Sequence, residues 1–528
     1  MINNINQKKR VAVIGGGPSG IVSSKTALEC GFDVVLFEKN DNIGGVWSIG
    51  ESGKAWENMK THISYVSMSF SDFGWDVPNE RKPFHPYKEE MFKYLYDYSK
   101  HFKVLENTRL NTTVNNISMV DNNTSKQWLI KSNKTNTVEN DKCEQVEEIF
   151  DFVIICTGMF SKKRDINIMD KLKNFKGKIW SSNEYKNSKP FVDKKVLVVG
   201  GSSSAIEIST AMANHTKMVY LNSKKSVYVL KRKFPLLNND NLPIFDHCLQ
   251  KRSINYNTEK ISIEEINKSL NNFLNSASEN QRENKLFPYR NPETQSHYYI
   301  FSDNFFEMLK EDKIKVIGKS LIDCCNGNQM VFKDSYGNIE TIDDVDDIIN
   351  CVGYDVDFSF FSEDIKKIIS FDLSSPHLPI ILYNHTLSPK LDNMAFVGIY
   401  RTPSLLEMEM QARYAIYGFA GIIKLPTKET MFEGIKSVEK IRDLNEDIIR
   451  PQFALESNLI FCDQLAKEIG VLPDLNELKE NDPLLYNINW DYLFHPSYYR
   501  IIGPYSDPEA RNNLIEDYNH YFKILKKQ

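Results

Sequence analysis

The chain lacks the features that mark several large classes of protein. Its 528 residues contain no uninterrupted apolar stretch close to the roughly 20 residues that a membrane-spanning helix requires. The first ten residues have no apolar core of the kind that defines a signal peptide. A formal net charge of -5 is small for this length and gives no nucleic-acid footprint. These absences favour a cytoplasmic protein with no transmembrane segment and no nucleic-acid partner, and they leave peripheral membrane association open.

Paired cysteines are also missing. The eight cysteines are scattered along the chain, and none forms a CxxC pair. Cys324 and Cys325 are adjacent, a spacing that suits neither a metal site nor an ordinary disulfide. We therefore expect reduced thiols in a cytosolic setting and no bound metal. The lack of a CxxC pair also argues against a disulfide reductase, which needs redox-active cysteines beside its flavin.

Two glycine-rich turns are the most informative feature that is present. They lie at Val11–Gly20 and Val196–Ala205, and each follows an apolar strand and opens a helix. Such a turn binds one dinucleotide, so two of them can bring two cofactors together. The length of the chain suggests roughly two to four domains. We therefore expect a multidomain protein that transfers electrons between two dinucleotides.

The first turn, VAVIGGGPSG, has every glycine of the dinucleotide-binding pattern. Gly15 permits the tight turn, Gly17 lets backbone approach the pyrophosphate, and Gly20 allows the helix to pack closely on the strand. Glu38 ends the next predicted strand, where an acid suits ribose hydroxyls and repels a 2′-phosphate, so we expect FAD or NAD here. The predicted ligands are Gly15, Gly16, Gly17, Pro18, Ser19, Gly20 and Glu38.

A second glycine pair follows that acid in the sequence IGGVW at Ile43–Trp47. Paired glycines let backbone pass close to a large planar ligand, and Trp47 could form one wall of its site. Beside the first turn, this pair favours a flavin. Gly45, Val46 and Trp47 are therefore predicted to contact the cofactor.

The second turn, VLVVGGSSSA, is altered. Gly200 keeps the tight turn, but Ser202 replaces the middle glycine, and the serines offer small side chains and hydroxyl donors to phosphate. We place the next strand at Ser226–Leu230; Arg232 follows it and would select the 2′-phosphate of NADPH. Glu207 is interpreted as an ordinary residue of a helix face. The predicted ligands are Gly200, Ser202, Ser203, Ser204, Ala205 and Arg232.

The pattern around these turns predicts a parallel α/β fold. Helix Pro18–Cys30 and strand Asp33–Phe37 follow the first turn, and residues 111–148 suggest strands joined by a long polar turn. Asp151–Gly158 and Asp346–Gly353 share one pattern, with an acid, an apolar strand, a cysteine and a glycine. We interpret these two copies as hinge strands that leave and re-enter one domain.

Several further motifs give the chain a specific resemblance. It resembles the flavin-containing monooxygenases, which are class B flavoproteins, over nearly its whole length. The motifs that carry the resemblance are GGGPSG, Glu38, IGGVW, Ser64–Phe73, ICTG at Ile155–Gly158, Phe175-Lys176-Gly177 with Ser181 and Tyr185, the second glycine turn, NCVGY at Asn350–Tyr354, AFVGI at Ala395–Ile399, LEMEMQARYA at Leu406–Ala415 and YYRIIGPYSDPEARN at Tyr498–Asn512.

The resemblance implies an α/β fold with two Rossmann-like dinucleotide-binding domains and a helical C-terminal region. The FAD domain would comprise residues 1–165 and 346–445, the inserted NADPH domain residues 166–345, and the helical region residues 446–528. Residues 252–298 are polar apart from a helical pattern at Ile261–Leu274, and their composition suggests a surface insertion.

The resemblance also implies the chemistry. Members use FAD, NADPH and O₂ to oxygenate soft nitrogen or sulfur atoms of small molecules through a C4a-hydroperoxyflavin. Three departures stand out. Ser181 occupies the histidine position of the family fingerprint FxGxxxHxxxY, and Ser202 replaces a glycine. His62, after Thr61, takes the place of an asparagine near the flavin, so we expect both residues to contact a cofactor and His62 to be catalytic.

Two other readings stay open at this point. A Baeyer–Villiger monooxygenase would use the same cofactors on a ketone, although its fingerprint also expects the histidine that is Ser181 here. A regulatory flavoprotein that binds FAD and NADP without turnover would accommodate Ser181, Ser202 and His62. The sequence leaves the physiological substrate and any homo-oligomeric state undetermined.

Overall fold

The computed structural model defines twenty strands and twelve α-helices among the residues it describes. These residues are 8–50, 52–75, 84–122, 125–134, 145–165, 169–223, 227–233, 246, 251–256, 272, 274, 299–318, 320–325, 327–334, 336–375, 377–401, 404–443, 457–492 and 494–527. The strands are β1 Arg10–Ile14, β2 Asp33–Phe37, β3 Thr108–Arg109, β4 Thr112–Asn122, β5 Ser125–Lys134, β6 Gln145–Phe150, β7 Phe152–Ile155, β8 Lys162–Lys163, β9 Lys178–Ser181, β10 Lys195–Val199, β11 Met218–Asn222, β12 Tyr228–Leu230, β13 Tyr299–Phe301, β14 Ile314–Ile317, β15 Ser320–Cys325, β16 Gln329–Lys333, β17 Ile339–Ile342, β18 Asp347–Asn350, β19 Tyr354–Asp355 and β20 Met394–Phe396. The helices of eight residues or more are α1 Pro18–Glu29, α2 Lys88–His101, α3 Ser203–Met212, α7 Leu406–Phe419, α8 Lys428–Arg442, α9 Asn458–Ile469, α11 Pro483–Asp491 and α12 Ala510–Lys527. The shorter ones are α4 Arg252–Asn255, α5 Phe305–Lys310, α6 Glu363–Ile368 and α10 Leu475–Asn481.

Two five-stranded parallel sheets have the same architecture. The first has the order β20-β7-β1-β2-β3, and the second has the matching order β9-β18-β10-β11-β14. Each is accompanied by a three-stranded antiparallel sheet, β4-β5-β6 beside the first and β15-β16-β17 beside the second. The predicted fold class of two Rossmann-like units is therefore confirmed, and residues 111–148 supply the strands that their pattern suggested.

The central strands are continuously apolar because both of their faces are covered. Val11 and Val13 pack into one core cluster, whereas Ala12 and Ile14 pack into another on the opposite face of β1. The strand β10 repeats this division, with alternate residues in two further clusters. Each sheet is thus a middle layer, which fixes its strands rigidly beneath the turn that leaves the central strand.

The chain crosses between the two sheets at a short antiparallel ribbon of β8 and β19. The interpretation of Asp151–Gly158 and Asp346–Gly353 as a pair of hinge strands is wrong, because β7 pairs with β1 whereas β18 pairs with β10. Each copy lies second from the edge of its own sheet, beside the central strand. The boundary proposed at residue 346 precedes β18, and the structure places the return crossing at Tyr354–Asp355.

The second strand of the second unit also differs from its prediction. The structure has β11, Met218–Asn222, beside β10, whereas Ser226–Leu230 was expected there. Residue 226 lies outside the described residues, and β12 pairs with β13 in a separate two-stranded sheet. The expected placement was therefore wrong, which changes the residues that follow the strand next to the second glycine turn.

The C-terminal region is helical, as predicted, and buried charges attach it to the first domain. Arg500 is 2% exposed, and its guanidinium donates to Ser71 Oγ at 2.7 Å, Asp72 Oδ2 at 2.9 Å and Glu409 Oε1 at 3.1 Å. Lys25 on α1 completes the network with Asp72 at 2.5 Å. This network connects three of the motifs on which the family resemblance depends.

Part of the presumed surface insertion is buried. Arg252 is 1% exposed and bonds both carboxylate oxygens of Asp463 on α9, at 2.7 and 3.2 Å. Tyr256 OH donates to the same carboxylate at 2.7 Å. The surface interpretation is therefore wrong for these residues, while the helix predicted at Ile261–Leu274 lies almost wholly outside the described residues.

Within the part of the chain that the structure describes, no helix combines the length and apolar character needed to cross a membrane.

Two buried histidines make the stability of the fold sensitive to mild acid. Burial lowers the pKa of His85 to about 3 and that of His385 to about 4. In the unfolded chain these two histidines bind protons near pH 6.5. Their contribution to the free energy of unfolding is therefore fully present above that pH and is lost as the pH falls towards 4. We expect His385→Asn, which tolerates the local φ of +51°, to flatten this loss by about 1.4 kcal/mol per pH unit. Denaturant unfolding between pH 7 and pH 4.5 measures the slope, and parallel curves for the two proteins would contradict the assignment.

Candidate cofactor sites

The first glycine turn has no room for side chains at two of its glycines. Gly15 has φ +107°, and a Cβ there would lie 2.6 Å from the carbonyl oxygen of Cys156. A Cβ on Gly20 would lie 1.8 Å from the carbonyl oxygen of Gly15. The turn is closed by Gly15 N, which donates to Phe37 O at 2.8 Å. These contacts hold α1 against the end of β1 and aim its N-terminus along the turn.

The IGGVW loop packs directly on this turn. Gly44 N donates to Gly16 O at 2.8 Å, and a Cβ on Gly45 would lie 2.9 Å from Gly17 Cα. Both loop glycines have positive φ, +104° and +60°. Gly44 and Gly45 therefore allow the backbone of this loop to lie directly against the backbone of the first glycine turn. Its predicted contact with a planar ligand, together with that of the half-buried Trp47, stays a prediction.

Glu38 lies where a ribose-binding acid is expected, directly after β2. Its carboxylate accepts from Gly16 N at 2.7 Å and from Asn40 N at 2.9 Å. Burial raises the pKa of this carboxyl, and the two backbone donors oppose the shift. The acid therefore faces the glycine turn, so the turn and the acid form one site.

The helices that follow the two glycine turns differ at their first residues from five later helices of the chain. The N-terminal residues of α6, α8, α9, α10 and α11 are capped by the side chains of Ser362, Thr427, Ser457, Asp474 and Asp482. Within the described residues, no side chain caps α1 or α3, and neither has an acidic residue in its first turn. Their backbone N–H groups and positive dipole ends suit phosphate, so both turns fit a dinucleotide.

The second turn copies the first in its backbone. Gly200 N donates to Asn222 O at 3.1 Å, and a Cβ on Gly200 would lie 2.4 Å from Cys351 O. Ser202 takes the place of Gly17 before the helix, followed by Ser203 and Ser204 in the first turn of α3. The predicted nucleotide ligands of this turn therefore lie together at one helix N-terminus.

The position equivalent to Glu38 is now defined by register. Ile14 pairs with Phe37 in the first sheet, and Val199 pairs with Asn222 in the second, so Ser223 corresponds to Glu38. No acid therefore occupies the second ribose position. In the sequence, Lys224 and Lys225 follow Ser223, although both lie outside the described residues.

Arg232 lies elsewhere, buried between the domains with 5% exposure. Its guanidinium pairs with Glu207 and with Asp303, the latter at 3.1 Å, and its Nε donates to Thr61 O at 2.9 Å. The premise that placed Arg232 at the 2′-phosphate was the misplaced strand at 226–230. The structure instead gives its charge two carboxylate partners.

His62 meets the second domain at the same interface. Its Nε2 lies 2.9 Å from Glu207 Oε2, and its ring packs beside Phe301 at 5.4 Å between centroids. The side chain is 34% exposed, so part of it remains accessible. Burial would raise the pKa of Glu207, but His62 and Arg232 outweigh this effect and hold it below its ordinary value. Sequence analysis could not predict this contact, because helical spacing alone cannot show a partner 145 residues away.

The serine at the fingerprint position has local partners. Ser181 ends β9, and both its N–H and its hydroxyl donate to Glu184 Oε2 at 2.8 Å. The neighbouring Ser182 hydroxyl lies 3.1 Å from Tyr354 OH in the crossing ribbon. Ser181 therefore stabilises a turn beside the ribbon.

Two equivalent parallel units, each with a glycine turn that fits a dinucleotide, define a two-cofactor flavoprotein. The Flavin-binding monooxygenase-like family matches residues 8–528, and the chain belongs to this family. It is therefore an oxidoreductase, a flavin monooxygenase whose cofactors are FAD and NADPH and whose reaction involves O₂ and a small-molecule substrate.

Curated relatives agree with this membership over the whole chain. A protein named dimethylaniline monooxygenase [N-oxide-forming] 2 from Cavia porcellus is 27% identical, with 98% of this chain and 93% of the relative covered. Flavin-containing monooxygenase 5 from Rattus norvegicus is 28% identical, with coverages of 96% and 91%.

Solved structures show the same fold at lower identity. The S-allyl-L-cysteine S-oxygenase from Allium sativum matches with a TM-score of 0.60 and 18% identity over 98% of each chain. A cyclohexanone monooxygenase structure matches with a TM-score of 0.62 and 14% identity, covering 87% of this chain and 97% of that one. At these identities the likeness establishes the fold.

Proposed function

We propose that the protein uses NADPH and O₂ to oxygenate soft nucleophilic nitrogen or sulfur atoms of small molecules. The contrast between its two equivalent turns carries this proposal. The first presents Glu38 to the ribose, which suits FAD, while the second presents Ser223, followed in sequence by Lys224 and Lys225. Cations without an acid suit the 2′-phosphate of NADPH. One chain thus provides a site for a hydride donor and a site for its acceptor.

The protein's own residues bind and orient these groups. The first turns of α1 and α3 offer backbone N–H groups to the phosphates, and Glu38 offers its carboxylate to a ribose. His62 lies at the interface of the two domains, from which it would hydrogen-bond a cofactor. When bound, FAD accepts hydride and activates oxygen. A soft nucleophile reacts without giving a proton to a protein base, so this proposal requires no acid–base dyad.

The NADPH assignment predicts a selective effect of the lysine pair. Replacing Lys224 and Lys225 together by alanine should raise the KM for NADPH roughly tenfold, equivalent to about 1.4 kcal/mol, and leave the KM for NADH nearly unchanged. Steady-state flavin reduction with each nucleotide measures this. Arg232→Ala is the matched comparison, because it should lower stability without selecting between nucleotides. The opposite pattern would restore Arg232 as the phosphate ligand.

The substrate class is tested by product analysis. The names of two relatives describe N-oxide formation and S-oxygenation, and the C-terminal motif YYRIIGPYSDPEARN favours the same chemistry. Tertiary amines and thioethers should therefore give N-oxides and S-oxides with consumption of NADPH. Conversion of cyclic ketones to lactones, with amines and thioethers unchanged, would instead establish the Baeyer–Villiger reading. Binding of both cofactors without any oxygenated product would favour the regulatory reading.

A further inference from the structure

A segment of the FAD domain is held by three charged side chains of the inserted domain. We call residues 61–67 the clasped segment. Arg232 Nε donates to Thr61 O, and Glu207 bonds the ring of His62. Asp246 accepts from Ser64 N at 2.9 Å and from Ser64 Oγ at 2.6 Å. The position of His62 therefore depends directly on the domain that binds the nicotinamide nucleotide.

Glu207 connects His62 to the nucleotide turn through one rigid element. It lies on α3, one turn beyond Ser203, and α3 begins at the second glycine turn. Its other carboxylate oxygen pairs with Arg232. The carboxylate thus has a fixed position between the phosphate-binding end of α3 and His62.

The chemistry of this pair sets the tautomer of the histidine. An ionised carboxylate only accepts hydrogen bonds, so His62 Nε2 must carry the hydrogen that it donates to Glu207. A neutral ring then presents Nδ1 as an acceptor. Within the described residues, no hydrogen bond engages Nδ1. An acceptor there suits an amide N–H donor, such as the carboxamide of nicotinamide.

We propose that Glu207 is a positioning residue that fixes the ring and tautomer of His62, so that Nδ1 accepts a hydrogen bond from the nicotinamide carboxamide. This inference rests on the proposed function for the presence of NADPH at the interface. It assigns a role to Glu207, which sequence analysis interprets as an ordinary residue of a helix face. It also explains why a histidine can replace the family asparagine at position 62.

The first test is Glu207→Gln, which keeps the side-chain shape. The glutamine amide can turn its N–H towards Nε2, which permits the Nδ1–H tautomer and places two donors face to face. We expect the rate of flavin reduction at saturating NADPH to fall at least tenfold and calorimetry to show weaker NADP⁺ binding. Asp303→Asn is the matched control, because it removes a carboxylate from Arg232 without touching His62. It should stay within twofold of the parent protein.

A double-mutant cycle with His62→Asn isolates the pair. With asparagine at position 62, Glu207→Gln should change the reduction rate less than twofold further. Equal losses from Glu207→Gln and Asp303→Asn, or an undiminished effect in the His62→Asn background, would overturn the inference. A parent protein whose flavin NADPH does not reduce would instead overturn the proposed function.

A measurement on the parent protein removes any dependence on the folding of the Glu207 variant. Nitrogen NMR of the histidine rings, with the His62 signals identified by their loss in His62→Asn, reports which nitrogen carries the hydrogen. We expect hydrogen on Nε2, and a change at Nδ1 when NADP⁺ is added. Hydrogen on Nδ1 in the neutral ring would overturn the inference.

Discussion

Gly20→Ala should give a protein that cannot retain FAD. The added Cβ would lie 1.8 Å from the carbonyl oxygen of Gly15, so α1 must move away from β1. Overpacking of this kind typically costs about 1–3 kcal/mol even where neighbours can relax, and here the neighbour is backbone. The displacement would also turn the first N–H groups of the helix away from the pyrophosphate. We expect loss of most of the bound flavin, measured as flavin absorbance per mole of purified protein.

Gly74→Ala is the matched control for that change. Gly74 is exposed, its φ is not positive, and a Cβ there would meet no heavy atom within 4 Å. Its flavin content and thermal midpoint should equal those of the parent protein. A Gly20→Ala protein with full flavin content would contradict the role given to the first turn.

The second large effect concerns the buried arginine that joins the C-terminal region to the first domain. Arg500→Met should destabilise the protein by about 3–5 kcal/mol, because it removes the nearest cation from the buried Glu409, which keeps only Arg413 at 3.8 Å, and one of the two cations that pair with Asp72. Denaturant unfolding measures the change. The variant should also lose flavin on mild heating, since Asp72 also pairs with Lys25 on α1, the helix proposed to bind the FAD pyrophosphate.

Arg511→Met is the comparison, since it lies in the same C-terminal motif. Arg511 pairs with Asp482 at 2.6 Å, but its side chain is 45% exposed. Exposed ion pairs contribute about 0–1 kcal/mol, so this change should barely move the unfolding transition. Similar losses from both substitutions would show that burial of the Arg500 network is not what stabilises the region.

The backbone of the first glycine turn and its flanking elements could be predicted almost completely from sequence, because the information is local. The helix ends within one residue of its predicted end, and Asp33–Phe37 is the observed strand. Gly15, Gly20 and Glu38 lie within one strand–helix–strand unit. Backbone geometry alone then brings the acid to the turn.

The second site could not be predicted in the same way, because two apolar segments were equally suitable as the strand that pairs with β10. Both Met218–Asn222 and Tyr228–Leu230 have strand composition, and only tertiary packing selects the first. One signal was available. Glu38 follows Gly15 by 23 residues, and the same interval from Gly200 ends at Ser223, before the lysine pair.

The contacts between domains could not be predicted from any local sequence pattern. Glu207 and His62, or Arg252 and Asp463, are separated by 145 and 211 residues. Charged residues are usually exposed, so composition favours a surface for each of them. Burying a charged side chain is favourable only where folding brings an opposite charge next to it. Helical periodicity and local polarity do not show which residues will be paired in this way.

In the proposed function, this chain passes reducing equivalents from NADPH to FAD and then oxygenates a soft nucleophile. Anaerobic mixing of the FAD-containing protein with NADPH, followed by addition of O₂ and a thioether, tests both steps in one stopped-flow experiment. We predict that the flavin becomes reduced by NADPH and reoxidises with formation of one S-oxide per NADPH consumed. A flavin that stays oxidised in the presence of NADPH, or a reduced flavin whose reaction with O₂ yields hydrogen peroxide alone, would rule out the proposed monooxygenase activity.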